Sequence, residues 1–201
     1  MDATTPKAER AEATRTALVA AARELFTERG YAAVGTEEIV RRAEVTRGAL
    51  YHHFADKRDL FRTVHEQMEG EIVAAIAARM DGTTDPLELL KTGTRAFLDA
   101  CMDPAHARVN LLDAPSVLGW EEWREIDMRH GMGLVTAGLQ AGMDAGALRV
   151  QPVRPLAHLL LAAMGEAALM IANSSGPQAT RDEMETSLLE LLEGLRGRTA
   201  S

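Results

Sequence analysis

The chain has few aromatic residues, and they make up only 4% of its 201 amino acids. Helix-forming alanine, leucine, glutamate and arginine are abundant instead, and few segments alternate apolar and polar residues as a strand would. A chain of this length with 46% hydrophobic residues can fill a sizeable core. We therefore expect an all-α globular protein.

The chain also has little cysteine and no obvious targeting segment. Cys101 is the only cysteine, so no intrachain disulfide can form and a reducing cytoplasmic interior is the expected setting. The first fifteen residues lack the apolar stretch of a secretory signal. The longest apolar run, around Leu159 to Met170, is interrupted by Glu166. These features predict no membrane partner.

Common sequence motifs of enzyme active sites are missing as well. The sequence contains no HExxH, no GxSxG and no Gly-rich phosphate loop. The adjacent His52 and His53 would point about 100° apart on a helix, with no third metal ligand nearby in the sequence. We therefore predict that the protein is not an enzyme and has no cofactor or metal site, with a helical hydrolase or metalloenzyme as an alternative.

The charge of the chain is acidic but unevenly distributed. The net charge is −8, yet residues 1–65 contain 11 Lys and Arg against 10 Asp and Glu, which leaves a net −9 on the remaining residues. Nucleic-acid binders usually present a basic surface. An acidic body with a nearly neutral N-terminal part would let that part approach phosphate groups while the body stays away from them.

Four helices are predicted in the first 80 residues, each with a start or stop signal. They are Glu9 to Arg29, ending at Gly30; a short helix capped by Thr36; Arg47 to about Phe54, capped by Thr46; and a long helix through Met80, capped by Asp56 with Asp59 completing the cap. In the third helix, Leu50 and Phe54 form an inward pair four residues apart. The polar side chains of that helix are therefore expected to point outward.

The rest of the chain also predicts helices. Their signals are the capped prolines Asp85-Pro86 and Asp103-Pro104, a segment from about Trp120 to Ala145, a helix from Leu156 to Asn173 opened by Pro155, and a last helix with a capping box at Thr180 and Glu183. Gly131, Gly133, Gly138 and Gly142 occur within one of these helices, which suggests close contacts with neighbouring elements.

Two short helices joined by a tight turn at Glu44-Val45 have the layout of a helix-turn-helix, whose second helix enters the major groove of DNA. The matching residues are Gly30-Tyr31, Thr36, Ile39, Ala43, Val45, Gly48, Leu50-Tyr51, His53-Phe54, Lys57 and Leu60. This segment resembles the DNA-binding signature of TetR-family transcriptional regulators. The resemblance implies a helix-turn-helix DNA-binding domain at residues 1–62 and a helical ligand-binding and dimerisation domain at residues 63–201.

The predicted DNA-binding residues are those whose side chains or backbone can reach bases or phosphates: Thr36, Thr46, Arg47, Gly48, Tyr51, His52, His53 and Lys57. Arg47 can form a bidentate pair with guanine, with a surface ion pair to Glu44 as the alternative. Gly48 permits close approach of the backbone to DNA or serves packing against the preceding helix. Lys57 resembles a phosphate-binding lysine of the family.

One residue departs from the family pattern. The turn of the motif most often contains glycine in TetR-family proteins, whereas this chain has Glu44. If that position needs a positive φ, glutamate costs about 1 kcal/mol. Its charge would also weaken non-specific binding to DNA.

A recognition helix this short touches only a few base pairs, so two copies about one DNA turn apart are needed. We therefore expect a homodimer on double-stranded operator DNA. As in relatives of the family, two apolar helices would pair with their symmetry mates, although the same residues can simply form the core. The candidate interface residues are Leu156, Leu159, Leu160, Ala163, Ala167, Met170, Met184, Leu188, Leu191 and Leu195.

The resemblance further implies an unknown small-molecule effector that binds in the larger domain and releases a repressor from its operator. Candidate lining residues are Met68, Phe97, Cys101, Met102, Asn110, Trp120, Trp123, Met128, Met132, Met164 and Glu166, with core filling as the alternative for each. Glu166, an acid within an apolar run, would meet His106, His130, Arg95 or a cationic or hydroxylated ligand. A helical interaction module with a non-functional head is the remaining alternative.

Overall fold

The computed structural model describes residues 6–197, and between these limits the chain forms helices joined by short turns. The helices are α1 Pro6–Arg29, α2 Thr36–Arg42, α3 Arg47–His53, α4 Lys57–Met80, α5 Pro86–Cys101, α6 Pro104–His106, a π-helix Ala107–Asp113, α7 Ala114–Leu118, α8 Trp120–Asp144, α9 Val153–Ala172 and α10 Pro177–Glu193. The all-α prediction is confirmed. Residues 1–5 and 198–201 of the two predicted domains lie outside the described residues.

The helix starts that depend on a capping side chain were predicted correctly. Four residues accept a backbone hydrogen bond at the start of a helix: Thr46, Asp56, Asp85 and Asp103. Asp59 completes the predicted cap of α4 because its Oδ2 accepts the N–H of Ala55 at 3.1 Å. Such caps satisfy N–H groups that have no partner within the helix, which is why they are readable from local sequence.

Other helix starts differ from the prediction. Gly35, in an extended conformation, precedes α2, so Thr36 is the first helical residue and caps nothing. Pro177 opens α10 three residues before Thr180, whose hydroxyl contacts Ser174 Oγ at 2.7 Å. Helices α1 and α9 also begin three residues earlier than predicted. Glycine or proline supplies the required backbone geometry at several of these starts, so no capping side chain is needed.

One hydrophobic cluster extends from the first helices into the rest of the molecule. Phe26 of α1 packs edge-on against Phe61 of α4, with ring centroids 5.3 Å apart. Leu50 belongs to the same cluster, together with Met68 and Trp123 from the body. The predicted domain limit between residues 62 and 63 falls inside α4, which is continuous there. The two-domain division therefore stays a prediction.

Glycines of α8 allow close packing at three places. A Cβ added to Gly142 would lie 2.6 Å from Leu148 Cδ1, and one added to Gly131 or Gly138 would lie 2.8 Å from a leucine methyl group. Gly133 has nothing within 4 Å of such an atom. The predicted close contacts are confirmed at Gly131, Gly138 and Gly142 but are wrong at Gly133.

Helix α9 is apolar on two faces. By length and composition it could cross a membrane, with a mean hydropathy of 1.6. In the structure Ala157, Ala168 and Ile171 are buried against neighbouring helices, whereas Leu159 and Met170 are exposed. Packing within the protein therefore buries only one of the two apolar faces, and the face with Leu159 and Met170 stays exposed.

The glycines of α8 provide a matched test of this packing. Gly142→Ala is expected to lower the free energy of unfolding by about 1–3 kcal/mol, because the added methyl group would overlap the buried Leu148. Gly133→Ala, in open space on the same helix, should raise it by up to about 1 kcal/mol through better helix propensity. Urea unfolding at one fixed protein concentration measures both, and effects of the same sign would contradict the packing.

Candidate nucleic-acid interface and effector cavity

The turn between α2 and α3 has an unusual backbone. Glu44 has a φ of 55°, the only positive φ of a non-glycine residue within residues 6–197. This conformation allows the N–H of Val45 to reach the carbonyl of Val40 at 3.0 Å. The condition considered from the sequence is therefore met: this position has a positive φ, which costs about 1 kcal/mol for a residue with a Cβ.

Helix α3 is fixed by its inward face. Leu50 is fully buried and Phe54, at the end of the helix, is 3% exposed. The opposite arc carries Arg47, Tyr51 and His52, all exposed to solvent. The predicted outward orientation of this arc is confirmed, and it leaves the side chains free to contact another molecule.

Arg47 has an ion-pair partner other than the one considered from the sequence. Its guanidinium lies 2.8 Å from a carboxylate oxygen of Glu37 on α2, not beside Glu44. It also lies 5.6 Å from the ring centroid of Tyr51. Because exposed ion pairs contribute little to stability, Arg47 can exchange Glu37 for a base or phosphate at small cost.

The remaining residues of the arc differ in exposure. A Cβ added to Gly48 would meet only Thr46 Oγ1, at an ordinary 3.9 Å, so packing against α2 does not require glycine there. His53 is half-buried beside Phe54, whereas His52 faces solvent. No group of three potential metal ligands occurs among the residues that the structure describes. DNA contact by these residues stays a prediction.

Lys57 holds the helix-turn-helix together. Its ammonium donates hydrogen bonds to the carbonyls of Tyr31 and Val34, each at 2.9 Å, and lies 3.8 Å from the Tyr31 ring centroid. Partial burial lowers the pKa of Lys57 from its ordinary value. Two of the three ammonium hydrogens therefore join the α1–α2 turn to the start of α4. The phosphate contact that the sequence predicts for Lys57 stays a prediction.

A cavity lies between α4, α5, α8, α9 and α10. It has about 860 Å³ of empty space, including its open mouth. Its polar side chains are Glu69, Thr94 and Asp127; the other lining residues are Ile72, Val73, Ile76, Met80, Leu90, Gly93, Phe97, Gly131, Leu134, Val135, Leu160, Leu161, Met164, Leu188 and Leu192. Mostly apolar cavities with a few polar groups are typical small-molecule sites.

Most of the ligand-lining residues expected from the sequence lie elsewhere. Phe97 and Met164 line the cavity. The nine others do not: Met68, Cys101, Met102, Asn110, Trp120, Trp123, Met128, Met132 and Glu166. Met68 and Trp123 fill the cluster shared with α1, and Trp120 is 57% exposed. Apolar side chains indicate burial, but they do not indicate which buried positions border a gap.

Glu166 was assigned to the wrong side of α9. It is exposed, and Arg95, one of its three candidate partners, is paired with Glu185 at 3.0 Å. The acids that border the cavity are Glu69 and Asp127. Glu69 precedes Ile72 and Ile76 by three and seven residues, so the helical periodicity of the apolar stripe on α4 could have revealed it.

The two cavity acids have different surroundings. Asn110 Nδ2 donates to Glu69 Oε1 at 2.8 Å, and burial, followed by the charge of Asp127, raises the pKa of Glu69 to about 8. Asp127 is paired with Arg124 at 2.9 Å, while burial raises its pKa from the ordinary value. A pKa of about 8 favours the protonated form of Glu69 at neutral pH, although the hydrogen bond from Asn110 acts in the opposite direction.

The expected dimer residues divide into two groups. Leu160 and Leu188 line the cavity, Ala167 is buried, and Leu156 and Leu195 pack partly into the core, so these five belong to the protomer's own interior. Ala163 and Met184 are also partly buried against the core, so the exposed group consists of Leu159, Met170 and Leu191. Leu159, Met170 and Leu191 are 69%, 44% and 56% exposed, so large apolar side chains remain uncovered in the single chain.

Models of known protein families match segments in both halves of the chain. A model described as "Bacterial regulatory proteins, tetR family" matches residues 18–64, and one described as "Tetracyclin repressor-like, C-terminal domain" matches residues 87–195. The transposon Tn10 TetC protein of Escherichia coli is 31% identical over 149 residues, which cover 74% of this chain and 75% of that protein.

Solved structures extend the similarity to nearly the whole chain. A TetR-family transcriptional regulator from Pectobacterium atrosepticum has a TM-score of 0.86 and 32% identity, covering 98% of this chain and 100% of that one. RolR in complex with resorcinol has a TM-score of 0.74 at 19% identity, covering 96% of this chain and 98% of that one. The RolR likeness concerns the fold alone.

Substitutions at Glu44 separate backbone strain from charge. Glu44→Gly is expected to be about 0.5–1 kcal/mol more stable than Glu44→Ala, because both remove the charge but only glycine adopts a positive φ without strain. Chemical denaturation of the two variants and the unchanged protein measures this difference. Equal stability of the two variants would show that the turn is not strained.

Proposed function

This chain belongs to the TetR family of bacterial regulatory proteins, and on that premise we propose that it is a homodimeric repressor released from operator DNA by a small-molecule effector. As a member of this family it is a DNA-binding transcriptional regulator and not an enzyme. The proposed setting is the cytoplasm, where operator DNA is accessible. The observation that carries the proposal is the exposed arc of α3 opposite the buried Leu50.

The arc has the chemistry that a recognition helix needs. Arg47, in the first turn of α3, offers a planar guanidinium for a guanine edge. Tyr51 and His52, about one turn further on, offer a hydroxyl and ring N–H groups for bases or phosphates. Gly48, between them, has open space around it and lets the backbone approach the groove wall. These features support insertion of α3 into the major groove.

Dimerisation is supported by the uncovered apolar face of α9 and α10. Leu159 and Met170 lie three turns apart on α9, and Leu191 adds an exposed leucine on α10. A second copy of the same face would cover these side chains symmetrically as a four-helix bundle. The second copy would also provide the second α3 that an operator of useful length requires.

The position of α4 supports the proposed release by an effector. The helix carries Lys57 against the helix-turn-helix and Glu69 against the cavity. A ligand that binds more tightly to a shape of the cavity incompatible with DNA would move α4 and change the spacing of the two α3 helices. The resorcinol complex of RolR supports a small molecule as the effector in this fold.

Variants of the recognition arc test DNA binding. Arg47→Ala and Tyr51→Ala are each expected to reduce the preference for the gene's own upstream DNA over random DNA, and the loss of a bidentate base contact costs about 1–3 kcal/mol. Electrophoretic mobility shifts across a salt series measure the preference. Arg129→Ala, which removes an exposed, ion-paired arginine from α8, is the matched control. Full selectivity in both arc variants would refute the assigned surface.

Charges placed on the apolar face test the dimer. The double change Leu159→Glu and Leu191→Glu is expected to produce monomers, because four carboxylates would be buried at the symmetric interface without partners. Sedimentation equilibrium measures the mass. Val150→Glu is the control, because Val150 is an 86% exposed apolar residue outside this face. A double variant that remains dimeric would place the interface elsewhere.

A further inference from the structure

The charged side chains that line the cavity all have the same sign. Among its lining residues, the two titratable ones are Glu69 of α4 and Asp127 of α8, and none is Lys, Arg or His. The parts of α5, α9 and α10 that face the cavity contribute apolar side chains, glycine and the hydroxyl of Thr94. An anionic ligand would therefore meet two acids and no base, which is costly in an apolar enclosure.

Only one of the two acids has a cationic partner. Arg124 pairs with Asp127 at 2.9 Å, whereas the hydrogen bond to Glu69 comes from the neutral amide of Asn110 at 2.8 Å. A buried carboxylate without a counter-ion is destabilised relative to its protonated form. The protonated form of Glu69 is therefore favoured, and the cavity that Glu69 borders offers it no cationic side chain.

The other titratable groups around Glu69 do not replace such a counter-ion. On α5, burial raises the pKa of the Cys101 thiol, so this group stays neutral. On α4 itself, burial lowers the pKa of His65 to about 4, so its ring is also neutral. On α8, Arg124 is held by Asp127, and His130 lies against Gly70 rather than in the cavity lining.

We propose that the cavity binds an organic cation, an apolar molecule with one ammonium-type group that pairs with the Glu69 carboxylate. This inference rests on the proposed role of the cavity as the effector site. Binding converts the protonated carboxyl group into a carboxylate, and its proton is released to solvent. The apolar part of the ligand lies against Ile72, Ile76, Phe97 and Leu161. Affinity for the cation therefore rises with pH.

Phenyltrimethylammonium is a suitable probe because its quaternary nitrogen does not titrate, so any pH dependence belongs to the protein. Its neutral isostere is tert-butylbenzene, and para-tert-butylbenzoate is an anion of similar shape. Isothermal titration calorimetry of the full chain in two buffers with different ionisation heats gives both affinity and the number of protons released. Between about pH 6.5 and about pH 8.5, affinity for the cation is expected to rise on the order of tenfold.

Two Glu→Gln variants test whether Glu69 is the carboxyl group that binds the cation and releases the proton. Glu69→Gln is expected to weaken binding of the cation about tenfold or more at the higher pH and to abolish both the pH dependence and the proton release. Glu71→Gln removes the same charge two residues along α4, where the side chain faces Arg23 and solvent, and should leave binding unchanged. Thermal unfolding verifies that each variant is folded. If Glu69→Gln does not fold, the number of protons that the unchanged protein releases on binding the cation tests the inference instead.

Three results would overturn the inference. They are no binding of the cation, equal affinity for the cation and tert-butylbenzene without proton release, and tighter binding of para-tert-butylbenzoate. If the proposed effector function is wrong, the results will differ from these three. In that case the cation binds and releases a proton, but it leaves the mobility shift of upstream DNA unchanged. Conversely, release of DNA by a neutral or anionic compound alone would support the effector function while refuting the cation.

Discussion

The buried face of α4 is the constraint on which the rest of the structure depends. Leu60, Phe61, Val64 and Met68 are almost completely removed from solvent, and burial of side chains this size contributes about 1.5–3 kcal/mol each. That face packs the start of α4 against α1, on which α3 packs in turn, and the middle of α4 against α8. As a result, α4 is linked through α1 to α3 and also forms one wall of the cavity.

Charged side chains have different surroundings near α3 and in the cavity. Cations near α3 are exposed and lightly paired, as with Arg47 and Glu37, so they can exchange partners when DNA arrives. In the body, Glu69 and Asp127 are held in an apolar enclosure where each charge needs a specific partner. Charged side chains therefore differ between the two regions: the exposed ones near α3 keep their charge at little cost, whereas burial disfavours the charged form of the acids in the cavity.

Many local features were predictable from the sequence, whereas the position of the cavity, which tertiary packing sets, was not. The caps at Thr46 and Asp56 and the inward position of Leu50 depend on neighbours within four residues, and the structure confirms them. The cavity depends on which helix faces leave a gap between them. Helical periodicity places Glu166 and Glu69 on definite faces of their helices, but it does not state whether a face meets solvent, core or a cavity. That is why one acid was assigned to the cavity wrongly and the other was missed.

Arg58 connects the start of α4 to the end of α7. Its guanidinium donates to the carbonyls of Val117 and Leu118, at 3.1 and 2.8 Å, and these are carbonyls at the end of α7 that lack partners within that short helix. A fragment beginning at residue 63 would lose this cap and would uncover Val109 and the rest of the cluster shared with α1. The helix-turn-helix and the body therefore share one hydrophobic cluster, and we expect them to unfold together rather than as two independent modules.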